Sequence, residues 1–434
     1  MSVDKVKLKR LKIEKYRNVA PGTVLEFNDG FNVLLGQNGT GKTTLLELIA
    51  MVTASRFGSL KETEFSLSYT LGHAGVRVDV AIENKREISA SPLDEAFSWS
   101  YCVALTVNGL PDALTVRATT KEVLVYTGEQ SREGTSLPTV NPFERNLLLN
   151  ALGSIRLLGD DLAPKYAIAT LGLALFVYQN IWNGRRFDEL LGALDSITGA
   201  ASSSDTPSAS FQFVRPTNGA PPREAARSTF IPQQLVSMME AHDPSSRSLD
   251  GVAAKHEDVE FLKKAVELMG FKGAEMLLRL RKREPAEAGE RLTFGHFEFT
   301  MILEDDTVIP HDLLSYGQKR LLAFLYDGAV TDDVIIADEI VNGMHYDWIG
   351  ACVKSIGSRQ AFLTSQNPLL LDFLSFETAE DVQRTFVLCQ TAKHAQRTHI
   401  AWTNLSQRDA RSFYRAYDTG AQHVSEILRS KGLW

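Results

Sequence analysis

The sequence of 434 residues has few cysteines, no long apolar run and no excess of basic residues, and each absence excludes something. Its three cysteines, Cys102, Cys352 and Cys389, form no CxxC pair, which argues against a zinc site and a disulfide framework. The most apolar stretch, Tyr166 to Tyr178, is too short to span a bilayer and is expected to be a buried helix. The N-terminus is charged, so we expect no signal peptide, no membrane association and a cytoplasmic location.

The formal net charge of -7 excludes an overall basic field that would recruit nucleic acid. A basic cluster at the start of the chain is one local candidate for such a contact: Lys5, Lys7, Lys9, Arg10, Lys12, Lys15 and Arg17. The favoured interpretation of this cluster is the solvated face of an amphipathic strand. The sequence also has no internal repeat and no sustained heptad pattern, which excludes a long coiled coil.

Hydrophobic periodicity predicts a chain that mixes strands and helices. Residues 6–13 alternate apolar and basic side chains, with a slip at Arg10, and residues 65–127 are rich in Val, Thr, Tyr and Phe, which predicts antiparallel strands. Further strands are expected at 24–28, 31–35, 291–303, 307–309, 334–337 and 361–364. Helices are expected at 43–53, at about 144–198, from 226 to about 286, and in a capped tail that starts at Ser406.

Residues 36–44, Gly-Gln-Asn-Gly-Thr-Gly-Lys-Thr-Thr, match the phosphate-binding pattern G-x-x-x-x-G-K-[ST] between an apolar strand and an amphipathic helix. The glycines let successive backbone N–H groups turn toward phosphate oxygens, and the N-terminus of the next helix faces the same anion. Lys42 would contact the β- and γ-phosphates of ATP, and the Thr43 hydroxyl would ligate Mg²⁺. The alternative is a glycine loop without a nucleotide. The predicted ATP-binding residues of the loop are Gly36, Asn38, Gly39, Thr40, Gly41, Lys42, Thr43 and Thr44.

The apolar strand at 334–337 ends in two carboxylates, Asp338 and Glu339. Open α/β sheets bind ligands at the C-terminal ends of their strands. Asp338 would hold Mg²⁺ through water, and Glu339 would polarise the attacking water as general base. An exposed acidic turn would look similar when read alone, but the phosphate-binding loop in the same chain favours the catalytic interpretation.

Residues 314–320, Leu-Ser-Tyr-Gly-Gln-Lys-Arg, precede that strand and resemble the signature motif of ABC ATPases. Together with Lys15-Tyr16-Arg17-Asn18 between two strands, this motif makes the chain resemble the RecF and structural-maintenance-of-chromosomes (SMC) heads. In that family two heads dimerise head to tail. The resemblance therefore implies that Ser315 and the backbone of Gly317 reach the γ-phosphate of the partner's ATP, and that Arg17 lies near the nucleotide. The alternative for Ser315 is an ordinary helix N-cap, with Tyr316 as a packing residue.

The resemblance singles out three further positions. Residues 342–345, Asn-Gly-Met-His, resemble the D-loop that crosses the dimer interface, while His345 also fits a solvated helix start. The switch position, where the family usually has histidine, is occupied by Gln366, which can hydrogen-bond a γ-phosphate but cannot become a cation. This departure puts brisk hydrolysis in doubt, but not ATP binding. Gln130 is a weak candidate for the Q-loop glutamine, and a surface loop residue is the favoured alternative.

The resemblance covers about the first 150 residues and about 290 to the end. It implies an α/β fold, a P-loop NTPase head of the ABC type with a mixed sheet, an antiparallel β lobe and a helical insertion. The expected segments are lobe I (1–150), the helical insertion (151–290) with a flexible loop near 198–225, lobe II (291–405) and a helical tail (406–434). The insertion is short, as in stand-alone members that act in DNA repair or in anti-phage defence and in OLD-family ATPase domains.

These observations predict a cytoplasmic ATPase that uses ATP and Mg²⁺, with Lys42, Glu339 and Gln366 as catalytic residues. ATP would hold two copies together as a homodimer or a larger assembly. A separate effector protein, of which a nuclease is one kind, would receive the change, and bacterial anti-phage defence is the favoured setting by analogy. One alternative is an ATP-locked scaffold that hydrolyses slowly, which Gln366 favours. The other is a RecF-like DNA-repair ATPase that binds DNA.

Overall fold

A computed structural model describes most of both ends of the chain and part of its middle. The described residues are 7–53, 57–60, 62–73, 76–87, 96–107, 114–119, 123–127, 135–136, 211–216, 234–235, 238, 251–286, 289–330, 334–365, 367–394 and 397–433. The chain divides into two compact units. The first comprises Met1–Ala201, Ser358–Ser365 and Leu374–Trp434, and the second comprises Ser202–Gly357 and Gln366–Phe373. The four-segment division expected from the sequence stays a prediction.

The described elements are strands and helices. In chain order the strands are β1 (Lys7–Tyr16), β2 (Thr23–Glu26), β3 (Phe31–Leu35), β4 (Phe65–His73), β5 (Val76–Glu87), β6 (Ala96–Val107), β7 (Leu114–Thr119), β8 (Val123–Thr127), β9 (Thr135–Ser136), β10 (Phe211–Pro216), β11 (Gly251–Lys255), β12 (Gly273–Ala286), β13 (Gly289–Ile302), β14 (Val308–Pro310), β15 (Val334–Ala337), β16 (Gln360–Thr364), β17 (Phe386–His394) and β18 (Arg397–Asn404). The helices are α1 (Lys42–Thr53), α2 (Glu260–Met269), α3 (Tyr316–Val330), α4 (Tyr346–Ile356), α5 (Ala379–Thr385), α6 (Gln407–Asp418) and α7 (Val424–Ser430).

An antiparallel sheet in the first unit has the strand order β2-β1-β4-β5-β6-β7-β8-β9. On β1 the apolar side chains of Leu8, Leu11 and Ile13 are fully buried, and the basic side chains between them point outward. The register between β1 and β4 shifts between Leu8 and Arg10, where the alternation of the sequence slips. A β-bulge of this kind lets both sides of the slip keep their apolar residues on the buried face. The predicted antiparallel strands of residues 65–127 are confirmed.

The second sheet of the first unit carries the phosphate-binding loop. Its strand β3 lies between β16 and β17 and is parallel to both, and β17 pairs with β18 as an antiparallel hairpin. Residues 32–35 of β3 are buried, as expected of a strand covered on both faces. Parallel and antiparallel pairs in one sheet make it mixed. The α/β class with a mixed sheet and an antiparallel lobe is therefore confirmed.

The second unit corrects two predictions. The flexible loop at 198–225 contains β10, which pairs with β13, and the helical stretch up to 286 contains β11 and β12 as strands, with α2 as its described helix. Residues 273–286 are rich in Glu, Met, Leu, Arg and Lys, which favour helices when taken alone. Alternate residues Ala274, Met276 and Leu278 are nevertheless buried. Pairing with a neighbouring strand overrides a weak helix propensity, so the period of two was the decisive signal.

Aromatic contacts hold the helices of the second unit together. The ring centroids of Phe261 on α2 and Tyr326 on α3 are 5.3 Å apart in an edge-on arrangement. The Trp348 indole on α4 donates to the Leu268 carbonyl of α2 at 2.8 Å. Burial raises the pKa of Tyr326 well above its ordinary range. The first contact packs α2 against α3, which begins within the signature motif, and the second joins α4 to α2.

The capped tail begins as the sequence predicted. The Ser406 hydroxyl accepts from the Asp409 amide at 3.1 Å at the start of α6, and Gly420 adopts a positive φ between α6 and α7. None of the helices within the described residues is long and apolar enough to cross a membrane. The predicted helices at about 144–198, the apolar stretch Tyr166 to Tyr178 and the Q-loop candidate Gln130 lie outside the described residues.

Candidate nucleotide-binding site

The loop 36–41 joins β3 to α1 and turns in a way that only glycine permits at two points. Gly36 has a φ of 152°, and a Cβ atom there would lie 2.2 Å from the backbone oxygen of Cys389 on β17. Gly41 has a φ of 82°, and its Cβ atom would lie 2.8 Å from the Ile400 side chain on β18. The loop is therefore seated against the β17–β18 hairpin, and its tip at Asn38 and Gly39 is exposed.

Lys42 lies beneath the loop, at the first residue of α1. Its side chain is buried, and its ammonium donates to the carbonyl oxygens of Gly36 at 2.8 Å and Gln37 at 3.1 Å. Thr40 is also buried, and its hydroxyl donates to the same Gln37 carbonyl at 2.7 Å. A cation, a helix N-terminus and a turned loop thus converge on one point, which is an anion-binding arrangement.

The Thr43 hydroxyl and Thr44 follow directly on α1, where Thr43 is exposed. A hydroxyl oxygen at this place is the kind of hard ligand that Mg²⁺ accepts beside phosphate oxygens. Within the described residues, no group of three or more His, Cys, Asp or Glu side chains could hold a metal ion.

Arg17 lies beside the same helix. Its guanidinium is 3.6 Å from the Glu47 carboxylate, one turn after Thr43 on α1, and 5.2 Å from the centroid of the Tyr16 ring. Arg17 has a φ of 46°, and the turn it begins is tied to β18 by hydrogen bonds between Ala20, Asn18 and Ile400. Burial raises the pKa of Tyr16, an effect that the Arg17 charge opposes and Glu47 reinforces. The contact of Arg17 with a nucleotide stays a prediction.

In the second unit, the signature residues form the start of α3. The Ser315 hydroxyl accepts from the Gln318 amide at 3.3 Å, and the Gln318 side chain accepts from the Ser315 amide at 2.9 Å. Ser315 is thus an N-cap, as its alternative interpretation expected. It is also exposed, and Tyr316 is 61% exposed, so the packing role suggested for Tyr316 is wrong.

Gly317 is required by the approach of another segment. A Cβ atom at Gly317 would lie 2.0 Å from the carbonyl oxygen of Gly343, and Gly343 itself has a φ of 76°. Residues 342–345 were predicted as the D-loop. The start of α3 and this loop therefore touch backbone to backbone, and both glycines of the contact are predictable motif positions.

The end of β15 is held by Arg320. Its guanidinium donates to the carbonyl of Asp338 at 2.6 Å and to the carbonyl of Glu339. Glu339 has a φ of 51°, and its carboxylate accepts from the Asn342 side-chain amide at 3.1 Å. Both carboxylates are half-buried. A half-buried carboxylate with a fixed direction suits the predicted roles of metal binding and water activation.

Comparison with known proteins identifies the first part of this site. The family model described as "AAA domain" matches residues 10–133, which include the phosphate-binding loop. The DNA replication and repair protein RecF of Actinobacillus succinogenes is 57% identical over 42 residues, which cover 10% of this chain and 12% of RecF. RecF of Pediococcus pentosaceus is 36% identical over 87 residues, which cover 20% of this chain and 22% of RecF.

The chain therefore spans between about an eighth and about a fifth of these two RecF proteins. Among solved structures, the SMC head domain from Thermotoga maritima overlaps with 92% of this chain and 99% of its own, at a TM-score of 0.32 and 11% identity. The recombination mediator protein RecF, in a structure titled RecF-ATPrS, overlaps with 93% of this chain and all of its own, at a TM-score of 0.30 and 12% identity. The resemblance to ABC-type ATPases of the RecF and SMC kind is confirmed by the family model and by the RecF relatives.

Two further predicted positions lie beyond residues 10–133. His345 is exposed directly before α4, and its ring centroid lies 5.1 Å from that of Trp348 in an edge-on arrangement, which fits the helix-start interpretation. Its place in an interface stays a prediction. Gln366 lies outside the described residues, although its neighbour Asn367 begins a 3-10 helix by accepting from the Leu369 amide at 3.0 Å.

Sequence reasoning missed the residues that support the phosphate-binding loop from below. Ile400 and Trp402 on β18 line Gly41, and Cys389 on β17 lines Gly36. Burial raises the pKa of the Cys389 thiol to about 12, although the charge of Lys42 opposes the shift. The run of Val, Thr, Ile and Trp at 387–403 is typical of a hairpin and could have been found. Its contact with a loop more than 340 residues earlier could not, because no local pattern specifies it.

Proposed function

We propose that the chain is an ATP-binding and ATP-hydrolysing switch whose subunits pair head to tail. The observation that carries this proposal is the buried Lys42 ammonium beneath a turned glycine loop at the start of α1. Burying a cation among neutral carbonyls is costly unless an anion completes its surroundings. The triphosphate of ATP is the anion that this loop, the helix N-terminus and Lys42 would bind together.

Hydrolysis is proposed to use the end of β15. Asp338 would hold Mg²⁺ together with Thr43, and Glu339 would orient and deprotonate the attacking water. The contact of the Glu339 carboxylate with Asn342 supports this role, because a general base must keep one direction. Gln366 would contact the γ-phosphate without adding a positive charge, so we expect slow turnover.

The signature is proposed to act on the ATP of a second copy. Ser315 is exposed at a helix N-terminus, where its hydroxyl and the first amides of α3 could reach a γ-phosphate. ATP would then be the bridge between two copies, and its hydrolysis would let them part. A separate effector protein would receive this change, and anti-phage defence is the setting that the short insertion favours by analogy.

The decisive experiment compares the wild type with Glu339→Gln and Lys42→Ala, with and without DNA. We would measure ATP turnover and the mass in solution with and without ATP. We expect turnover in the wild type, none in Glu339→Gln, and an ATP-dependent dimer or larger assembly of Glu339→Gln. Lys42→Ala should neither bind ATP nor assemble. Glu257→Gln, which removes an exposed carboxylate elsewhere in the second unit, is the matched control and should behave as the wild type.

If the wild type assembles with ATP but shows no turnover, the result favours the scaffold alternative. Gln366→His would then be the first variant to test for a gain of turnover. If none of the proteins binds ATP, the proposal is wrong.

A DNA-binding ATPase is the second candidate function, and one surface favours it. The basic start of the chain does not: Lys9 and Lys15 form ion pairs with Asp29 and Glu64, and Lys12 pairs with Glu14. On α6, in contrast, Arg408, Arg411 and Arg415 are exposed on one face and form no ion pair within the described residues. Lys431 adds a fourth charge beside them through its bond to Ser412.

These arginines repeat at three and four residues, so they extend along about 10 Å of the helix. Like charges so spaced weaken a helix, which argues that they serve a polyanion such as the backbone of DNA. Binding of labelled duplex DNA should weaken when all three become Gln. The slope of log affinity against log salt should become shallower by about 0.9 for each phosphate that is no longer neutralised. The matched control replaces Lys9, Lys12 and Lys15 by Gln. If both triple variants lose the same affinity for DNA, the loss reflects the change in net charge alone, and the DNA-binding function is rejected.

A further inference from the structure

Arg320 makes more contacts than a surface residue of a signature helix needs. It stands one turn into α3, and its guanidinium donates to the Tyr316 hydroxyl at 2.7 Å while lying 5.4 Å from the centroid of that ring. The other side of the same guanidinium donates to the carbonyl oxygens of Asp338 and Glu339. One side chain therefore bridges the first turn of α3 and the end of β15.

The backbone that Arg320 holds is in an unfavourable conformation. Glu339 is one of three residues other than glycine with a positive φ within the described ranges. The left-handed region is disfavoured for a side chain with a Cβ atom, and it persists only when the surroundings over-determine it. Here the Glu339 carbonyl oxygen accepts hydrogen bonds both from the Arg320 guanidinium and from the backbone amide of Asn342, the latter at 3.2 Å. These bonds hold the peptide that sets the direction of the Glu339 side chain.

The chemistry of the contact requires arginine. The acceptors are two neighbouring carbonyl oxygens and a phenol, and no carboxylate pairs with Arg320 within the part of the chain that the structure describes. Its Nε atom is buried and has no partner among those residues. A partly buried guanidinium without a counter-charge is expensive, so stability alone does not explain it. Its planar fork reaches adjacent acceptors at once, which the single ammonium of lysine does less well.

We propose that Arg320 is a positioning residue that sets the direction of the Glu339 carboxylate and couples it to the signature turn through Tyr316. The proposal rests on the ATPase function argued above. In a head-to-tail pair the signature of one subunit serves the partner's ATP, whereas Glu339 serves its own subunit's ATP. Arg320 would then carry the state of one ATP site to the general base of the other. The close approach of Gly317 and Gly343 makes a second, backbone link between the same two segments.

The test uses Arg320→Gln, Arg320→Lys and Tyr316→Phe in the full chain, with Lys319→Gln as the control. Lys319 is the neighbouring exposed residue, and it donates to the Asp312 carbonyl instead. We expect Arg320→Gln to bind a fluorescent ATP analogue as the wild type does and to lose between about tenfold and a hundredfold in kcat, a part of what a positioned base contributes. Arg320→Lys should lose less, and Tyr316→Phe, which changes an exposed side chain, should lose the least.

A double variant separates positioning from simple damage. In the Glu339→Asp background, where a shortened carboxylate leaves a residual turnover, Arg320→Gln should cause no further loss of turnover, because residues that act through one group are not additive. A further loss, unchanged kcat in Arg320→Gln, or an equal loss in Lys319→Gln would overturn the proposal. Full turnover in Glu339→Gln would instead refute the proposed function itself. If Arg320→Gln fails to fold, the test falls to Tyr316→Phe and Arg320→Lys. A lower kcat at an unchanged KM in both variants supports the proposal, and a wild-type kcat in both overturns it.

Discussion

The side chains of the phosphate-binding loop and those of the signature region form hydrogen bonds and close contacts of different range along the chain. In the loop, Lys42 and Thr40 bond to carbonyls within six residues of themselves. In the signature region, the contacts of Arg320 and Gly317 cross about twenty residues to the end of β15 and the loop after it. The motif itself therefore fixes the direction of the Lys42 and Thr40 side chains. The contacts of Arg320, like the seat of the loop on β17 and β18, need the fold to bring the partner into place.

The largest expected effect comes from adding one methyl group at the two close approaches. Gly36→Ala and Gly317→Ala each place a Cβ atom against a backbone oxygen, at 2.2 Å and 2.0 Å, and backbone cannot move aside cheaply. Each should lower the free energy of unfolding by about 3 kcal/mol or more. Urea denaturation of both variants measures this loss. Gly22→Ala is the control, because its φ is 76° but nothing lies within 4 Å, so about 1 kcal/mol is expected. If Gly36→Ala and Gly317→Ala lose no more free energy of unfolding than Gly22→Ala, the backbone segments at these two glycines lie further apart than the structure shows.

A second comparison uses the buried thiol that each unit contains. Burial raises the pKa of both Cys352 and Cys389 from 9.0 to about 12. Above pH 9 the unfolded chain loses these protons and the folded chain keeps them, so stability falls as the pH rises from about 9 toward 12. Each thiol should contribute a slope of about 1.4 kcal/mol per pH unit. Urea denaturation at several pH values should show a shallower slope in Cys352→Ala and in Cys389→Ala, and an unchanged slope in either would contradict the burial of that thiol.

Removal of the hydrogen bond from Asn342 to the Glu339 carboxylate should have a smaller effect, and this effect is on the rate of ATP turnover. Asn342→Ala removes this 3.1 Å hydrogen bond and leaves Glu339 in place. We expect a loss of about tenfold in kcat, the equivalent of about 1.4 kcal/mol, with unchanged ATP affinity. Steady-state ATP turnover measures it. Asn404→Ala, which removes an amide from the first unit, serves as the control and should leave kcat unchanged.

The smallest effect on stability should come from replacing the serines that cap two helices. One of these caps belongs to the signature region and the other does not, so the pair tests whether the signature serine has a second role. Ser315 caps α3 and Ser406 caps α6, each by accepting the amide three residues on. Replacing either by Ala should cost about 1 kcal/mol in thermal or urea denaturation. Only Ser315→Ala should also abolish ATP-dependent assembly. Assembly by both variants would show that Ser315 is a cap and nothing more.

Much of the fold could be predicted because its signals are local. The buried run 31–35, the glycines after it and the slip at Arg10 all specify their structure within a few residues. The strands β11 and β12 could not be recognised in the same way, since their residues favour helices until a neighbouring strand pairs with them. At the candidate site, Lys42, Glu339 and Ser315 follow from motif spacing. Arg320, although within the quoted motif, gains its role only from carbonyls that the fold brings to it.

The seat of the phosphate-binding loop also has a consequence for synthesis on the ribosome. Gly36 and Gly41 rest on β17 and β18, and the Leu8 amide is bonded to Gln360, 352 residues further along the chain. Chains are synthesised from the N-terminus at about 5–20 residues per second, so roughly 20 to 70 seconds pass between the synthesis of the loop and that of its support. A nascent chain that stops before β18 would carry the complete phosphate-binding motif without its seat. We therefore expect ATP binding to mature last, after the end of the first unit has folded back onto its beginning.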